Sequence, residues 1–395
     1  MRPVVDGDLP VRLTAWDGSV VGPVDAPAVT VSSPMALRRL LWSPGELGAA
    51  QAYVLGEIDV DGDLDDALTH VWSVVAQRGL SGVRPTPGTL ARGLRTAARL
   101  GVLGPRPTPP DSQSHIKGRL HTRARDRAAI SHHYDLSNEF YAAILDDHMA
   151  YSSAYFTSAD PAYTLEDAQA DKLSLVCRKV GLMEGMRFLD VGCGWGSLSL
   201  YAAEHFGAQV TGVTISAEQK RFIDQRIAER RLGDRVQILL CDYRDVTGMY
   251  DAAASIEMGE HVGEANYPTY VEVFERSLVP GGHVLIQQMS RTGKHPGGGP
   301  FIESFIAPDM HMRPLGDTVS YVEGGGLEVR HVEAMREHYV RTVTEWLKRF
   351  EARRDDLARL VPEEVLRVWE LYLVGGRMAF RDGRMGVDQI LARKP

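Results

Sequence analysis

Five short stretches of this chain hold the residue types that bind and move small groups: residues 192–196, 214–219, 242–243, 257–261 and 287–290. The first is Gly192-Cys193-Gly194-Trp195-Gly196, entered from Asp190 and Val191. Glycines at this spacing let backbone come close to a ligand and take φ/ψ values that side chains forbid. The pattern is GxGxG, not the GxGxxG of dinucleotide binders. With Asp190 ahead of it, it favours an S-adenosylmethionine-dependent methyltransferase over a nicotinamide or flavin domain. A glycine turn with no ligand is the plain alternative.

These stretches need a scaffold, and the sequence supplies one. Phe188 to Val191 is a short apolar run, as in a buried parallel strand. Ser197 to His205 follows as a helix and Gln209 to Ile215 as a second strand, which makes one right-handed βαβ unit. Further strands are expected at 236–241, 250–256 and 283–289, and helices at 165–180, 217–231 and 267–278. Such alternation indicates an α/β domain with an open, mostly parallel sheet. Ligands bind such sheets at the carboxyl ends of the strands, where all five stretches fall.

Ahead of this domain, residues 1–104 read as a small accessory domain. Strand-like stretches are expected at 11–16 and 28–32, and helices at 35–42, 46–55 and 64–77. Asp59-Val60-Asp61-Gly62-Asp63 has part of a calcium-loop pattern but lacks its full length, so it reads as a turn. Residues 105–114, rich in proline, read as a linker, with the catalytic domain over 115–395. Lys294 to Pro300 reads as a flexible loop or lid, and 342–360 and 363–380 as two long helices.

The chain has 395 residues and a net charge of −8, which argues against general nucleic-acid binding. No apolar run reaches the length of a membrane span, and the first residues carry no secretory leader pattern. Three scattered cysteines fit a reducing compartment and give no metal-ligand spacing. The expected location is cytoplasmic. Charge is uneven, however: residues 78–127 hold eleven Lys/Arg and two acids. Residues 89–103 could form a basic amphipathic helix, with Leu90, Leu94 and Ala97 on one face and Arg92, Arg95 and Arg99 on another. With Lys117, Arg119, Arg123 and Arg125, these cations are expected to meet an anionic membrane surface. A solvated linker and an ordinary packed helix are the alternatives.

Several motifs together resemble the cyclopropane fatty acid synthase family. They are HYDLSNEFY (133–141), MAYSSAYF (149–156), LDVGCGWGSLSLYAAEHFGAQVTGVTISAEQ (189–219), SIEMGEHVG (255–263) and HYVRTVTEW (338–346). The resemblance covers the chain from about Ser114 onward and is looser before it. It implies a Rossmann-like class I methyltransferase fold with a seven-stranded sheet. It also implies transfer of the S-adenosylmethionine methyl to the double bond of an unsaturated phospholipid acyl chain. The cofactor would be held by Tyr134, Tyr151, Ser152, Asp190, Gly192, Gly194, Gly196, Thr214, Ser216, Gln219, Asp242 and Tyr243.

The family holds a bicarbonate ion as the base, typically with a cysteine backbone, a glutamate, a histidine and a tyrosine. By motif these positions are Ser153, Glu260, Gln287 and Tyr339, so two of the four side chains differ. Glu260 could instead cap a helix, although Glu257 is the better cap candidate. Ser153 and the signature GRMGVDQIL (383–391) resemble the subfamily that makes 10-methylene acyl chains, precursors of 10-methyl (tuberculostearic-type) acids. That resemblance implies a flavin-dependent reductase acting on the product, and homodimers are common in the family. A plain cyclopropane synthase and a soluble small-molecule methyltransferase are the competing readings.

Overall fold

A computed structural model describes residues 9–78, 88, 95–114, 116, 120–123, 125–126, 136–292 and 297–395. The chain divides into two compact units.

The first unit is Met1–Ser114 with two later segments, Gly299–Phe305 and Val361–Met378. Strands β1 (Arg12–Ala15), β2 (Val20–Val21), β3 (Ala28–Val31) and β4 (Ile58–Asp61) form a sheet in the order β2-β1-β3-β4. Two of its described helices start at side-chain caps. Ser33 accepts from Met35 N ahead of α1 (Pro34–Trp42), which has proline in its first turn. Helix α2 (Glu46–Val54) is followed by β4, and Asp63 caps α3 (Leu64–Gln77) by accepting from Asp66 N. Asp59 and Asp61 therefore belong to a strand and Asp63 to a cap. Residues 105–114, expected as a linker, lie within this unit. Arg39 donates to Thr108 O at 2.7 Å, and Gln51 donates to Gln113 Oε1 at 2.7 Å. The segment 361–378 is bound in by Arg367 on Asp59 and Arg377 on Asp65.

The second unit is His115–Gly298, Ile306–Leu360 and Ala379–Pro395. Its sheet has seven strands in the order β10-β11-β9-β8-β5-β6-β7. They are β5 (Arg187–Val191), β6 (Gln209–Thr214), β7 (Val236–Leu240), β8 (Tyr250–Ile256), β9 (Leu278–Ser290), β10 (Glu328–Ala334) and β11 (Gly386–Arg393). Strands β5 to β9 pair in parallel, while β11 runs antiparallel to both β9 and β10. The order reverses between β5 and β8, the switch point where ligands bind such sheets. Phe188 packs into one apolar layer and Leu189 into the opposite one, so β5 is covered on both faces.

Helix α4 (Asn138–Ile144) is capped by Ser137, and α5 (Leu165–Lys179) opens on a capping box between Thr164 and Asp167. Helices α6 (Ser197–Phe206), α7 (Ala217–Glu229) and α8 (Tyr267–Ser277) make the crossovers. Helix α9 (Pro300–Phe305) belongs to the first unit, and residues 294–296 of the expected lid lie outside the described residues. Helix α10 (Leu315–Gly324) precedes β10, and α11 (Arg336–Ala352) carries the HYVRTVTEW motif. Strand β9 begins ahead of the expected 283 and takes in Pro280-Gly281-Gly282. Gly281 there has φ +81°, and the β8–β9 register shifts between Tyr250 and Ala252.

Candidate active site

The end of β5 and the glycine turn form the floor of a cavity at the switch point. Asp190, Gly192, Gly194, Thr214, Gln219 and Asp242 are among its walls. Gly192, Gly194 and Gly196 all have positive φ, at +78°, +55° and +82°. A Cβ on Gly192 would stand 2.7 Å from Met258 Cγ, and one on Gly196 would stand 2.9 Å from Ile223. These two glycines are required by packing. A Cβ on Gly194 would meet nothing within 4 Å, so its bare backbone faces open space, as a close-approaching ligand requires.

The polar walls are held from behind. Asp190 accepts from Ser199 Oγ at 2.7 Å, and burial pushes its carboxyl up to about 6. Thr214 Oγ1 donates to Gln219 Oε1 at 2.8 Å, and Ser216 caps α7 by accepting from Gln219 N. Burial works against ionisation of Asp242, but hydrogen bonds from Arg244 outweigh it and hold the carboxyl below its usual range. Tyr243 is buried with its ring edge-on to Tyr270 at 5.8 Å. Tyr151 and Ser152 line the cavity, with Tyr151 against Tyr141 and Trp346. Tyr134 lies outside the described residues. The donors, acids and open glycine suit the amino-acid, ribose and adenine parts of S-adenosylmethionine.

A second cluster adjoins this cavity, and it corrects the sequence reading. Ser153, Gln287 and Tyr339 do converge, but on Glu257 rather than Glu260. Ser153 N donates to Glu257 Oε1 at 2.8 Å and Gln287 Nε2 to the same oxygen at 2.9 Å. Tyr339 Oη donates to Oε2 at 2.7 Å. Glu257 caps no helix; it lines the cavity at the end of β8 with φ +50°. Its enclosure pushes the carboxyl up, while the three hydrogen bonds and Lys172 pull it back.

Glu260 sits one turn on, fully buried. Its Oε1 accepts from Met289 N, and its Oε2 has no partner among the described residues. Burial, then the Glu257 charge, push it up to about 8. Two such carboxyls do not both ionise easily. Three donors offset the burial of Glu257, whereas one donor meets Glu260.

The sequence reading missed Glu257 and Lys172. Lys172 is fully buried, donates to Ser152 Oγ at 2.8 Å and is pushed down by burial to about 8. A signal for it existed: Lys172 stands on the face of α5 that carries Ala168 and Val176.

Part of the basic strip is paired within the unit. Arg123 forms two bonds to Asp245, at 2.7 and 2.8 Å, and Arg125 is bound to Asp309. Asp126 and Asp309 line the cavity. This stretch forms cavity wall, and the charges of Arg123 and Arg125 are met within the unit. Arg95 and Arg99 are exposed, whereas Arg92, Lys117 and Arg119 lie outside the described residues.

Sheet order, glycine turn and cavity together define a class I S-adenosylmethionine-dependent methyltransferase. Residues 121–390 match the family model described as mycolic acid cyclopropane synthetase, and the chain belongs to that family. It is 35% identical over 399 residues to a probable fatty acid methyltransferase of Mycobacterium tuberculosis, covering 98% of this chain and 92% of the relative. It is 36% identical over 404 residues to the tuberculostearic acid methyltransferase of the same organism, covering 96% and 87%. Among solved structures it is similar to the mycolic acid cyclopropane synthase CmaA1 complexed with SAH and CTAB. That likeness has a TM-score of 0.64 and 30% identity over 68% of this chain and 98% of that one.

Proposed function

We propose that the protein methylates the double bond of an unsaturated, oleoyl-type phospholipid acyl chain and gives a 10-methylene acyl chain. One observation carries this reading: the cavity that suits S-adenosylmethionine shares its wall with a hydrogen-bonded carboxylate and with aromatic rings. The cofactor supplies an electrophilic methyl on a positively charged sulfur. An alkene that takes this methyl is left with a carbocation, which the faces of rings such as Tyr151 stabilise and which must lose a proton. The 36% identity to a tuberculostearic acid methyltransferase, with Ser153 and Gln287, supports the methylene outcome over ring closure.

Glycine backbone at 192–194 would hold the amino-acid end of the cofactor, Thr214 and Gln219 the ribose, and Asp242 with Tyr243 the adenine. The acyl chain would come from a bilayer, approached with Arg95 and Arg99 on an anionic surface; no described helix is long and apolar enough to cross a membrane. A flavin-dependent reductase acting on the product and a homodimer belong to the same proposal.

The test is expression in a host whose phospholipids carry oleoyl chains. Methylene and cyclopropane products have equal mass, so the lipids are read by ozonolysis with mass spectrometry. A cleavable exocyclic double bond is expected. An ozone-resistant product would assign ring formation, and no added carbon would overturn the reading.

A further inference from the structure

We propose that Glu257 is the proton acceptor of this reaction and that its carboxylate fills the place expected for bicarbonate. The inference rests on the acyl-methylation reading above.

The fit decides it. Ser153 N–H, the Gln287 amide and the Tyr339 hydroxyl were expected to hold a bicarbonate ion. All three end on Glu257, at 2.8, 2.9 and 2.7 Å. A carboxylate presents the same planar pair of oxygens as bicarbonate. A free ion would have to displace a covalently tethered group from its own donors, so the residues present do not fit one. Each donor is also fixed. The Ser153 donor is backbone. Gln287 is oriented by Gln389, which is itself bound to Lys179. The Tyr339 ring stacks on Phe380 at 4.2 Å.

The backbone supports a functional role. Glu257 is a non-glycine residue at φ +50°, a conformation costing about 1–2 kcal/mol for side chains other than Gly, Asn and Asp. Such strain persists where surrounding contacts over-determine it and clusters at functional sites. Glu257 is also partly accessible and lines the same cavity as Gly192 and Gly194, so the carboxylate faces the space where the methyl is transferred.

The step balances without an outside base. The alkene π pair forms the new bond to the methyl carbon, and the sulfur–carbon bond breaks with its pair going to sulfur. A hydride shifts from the methylated carbon to the neighbouring cationic carbon. Glu257 then takes a proton from the new methyl, and that C–H pair becomes the exocyclic double bond. The carboxylic acid returns its proton to water when product leaves. Ring closure without the hydride shift would take a proton from the same carbon, so one base serves either product.

The experiment uses full-length protein in bicarbonate-stripped and bicarbonate-supplemented buffer. Two variants, Glu257→Gln and Glu257→Gly, accompany the wild type. Wild type is expected to make product equally in both buffers and to leave the 13C signal of labelled bicarbonate unbroadened. Glu257→Gln should bind S-adenosylhomocysteine as wild type does, yet lose about 100-fold or more in product formation, the scale of a removed general base. Glu257→Gly should broaden the bicarbonate signal and regain rate when the ion is added. The proposal falls if wild type needs bicarbonate or binds it, a result independent of how the variants fold. It falls also if Glu257→Gln keeps the wild-type rate. A wild type that methylates no acyl chain overturns the functional reading instead, and the bicarbonate signal still reads the site.

Discussion

Gln389 Nε2 donates to Gln287 Oε1 at 2.9 Å, and this bond fixes what Gln287 offers its other neighbour. Lys179 Nζ, which only donates, bonds Gln389 Oε1 at 2.7 Å. The Gln389 amide therefore has one orientation. Gln287 must accept from it, and its NH2 must point to Glu257. A relay that begins at a lysine on α5 ends at the carboxylate beside the cofactor cavity.

Replacing Gln389 by Leu should remove that orientation. Gln287 Oε1 would lose its partner in a fully buried setting, at about 1–3 kcal/mol. Urea unfolding should show the lost stability, and product formation should fall while S-adenosylhomocysteine binding holds. Unchanged turnover in a variant of reduced stability would make the relay structural only.

Gly194 and Gly192 should separate by readout. Gly194→Ala meets open space and pays only for its positive φ, about 1–2 kcal/mol, but its methyl enters the cavity. It should stay folded and bind S-adenosylhomocysteine at least tenfold more weakly by calorimetry. Gly192→Ala drives a methyl into Met258 and should lower the melting temperature further. Equal binding by Gly194→Ala and wild type would remove the glycine backbone from the cofactor contact.

Glu260 gives stability a pH dependence. In the unfolded chain its carboxyl titrates near 4.5, and in the fold near 8. Between those values the folded state binds more protons, so rising pH lowers stability across the window and no further above it. Below 4.5 both states are protonated and the contribution is fully present. Glu260→Gln should flatten this part of the slope, read as the wild-type minus variant difference in melting temperature from pH 5 to 8. A difference that does not change with pH would mean that Glu260 is ionised in the fold.

The basic residues should divide by partner. Reversing Arg95 and Arg99 to Glu is expected to weaken sedimentation with anionic vesicles, more so at low salt. Reversing Arg125 should instead cost stability, because it sets two carboxylates against each other at Asp309. Vesicle binding indifferent to Arg95 and Arg99 would leave the exposed strip without a membrane role.

The sequence by itself determined the elements whose signals are local. Strands β5 to β9 and the glycine turn follow from apolar periodicity and from residues a few positions apart. Strands β10 and β11 were not located from pattern. β10 is largely exposed and reads as a polar run, and β11 gains its place only by pairing antiparallel with β9. The return of 299–305 and 361–378 to the first unit was equally unreadable, because it rests on contacts hundreds of residues apart.

The choice between Glu257 and Glu260 was the most consequential point left to tertiary structure. The motif ranked Glu260 first and offered Glu257 only as a cap. Donors from the 149–156 segment, β9 and α11 meet one carboxylate only when the sheet is assembled. A left-handed φ at the end of β8 turns Glu257 toward them, and the following turn sends Glu260 to Met289. Sequence spacing places both acids at the same strand end, but the backbone dihedral and the long-range donors decide which of them the three hydrogen bonds reach.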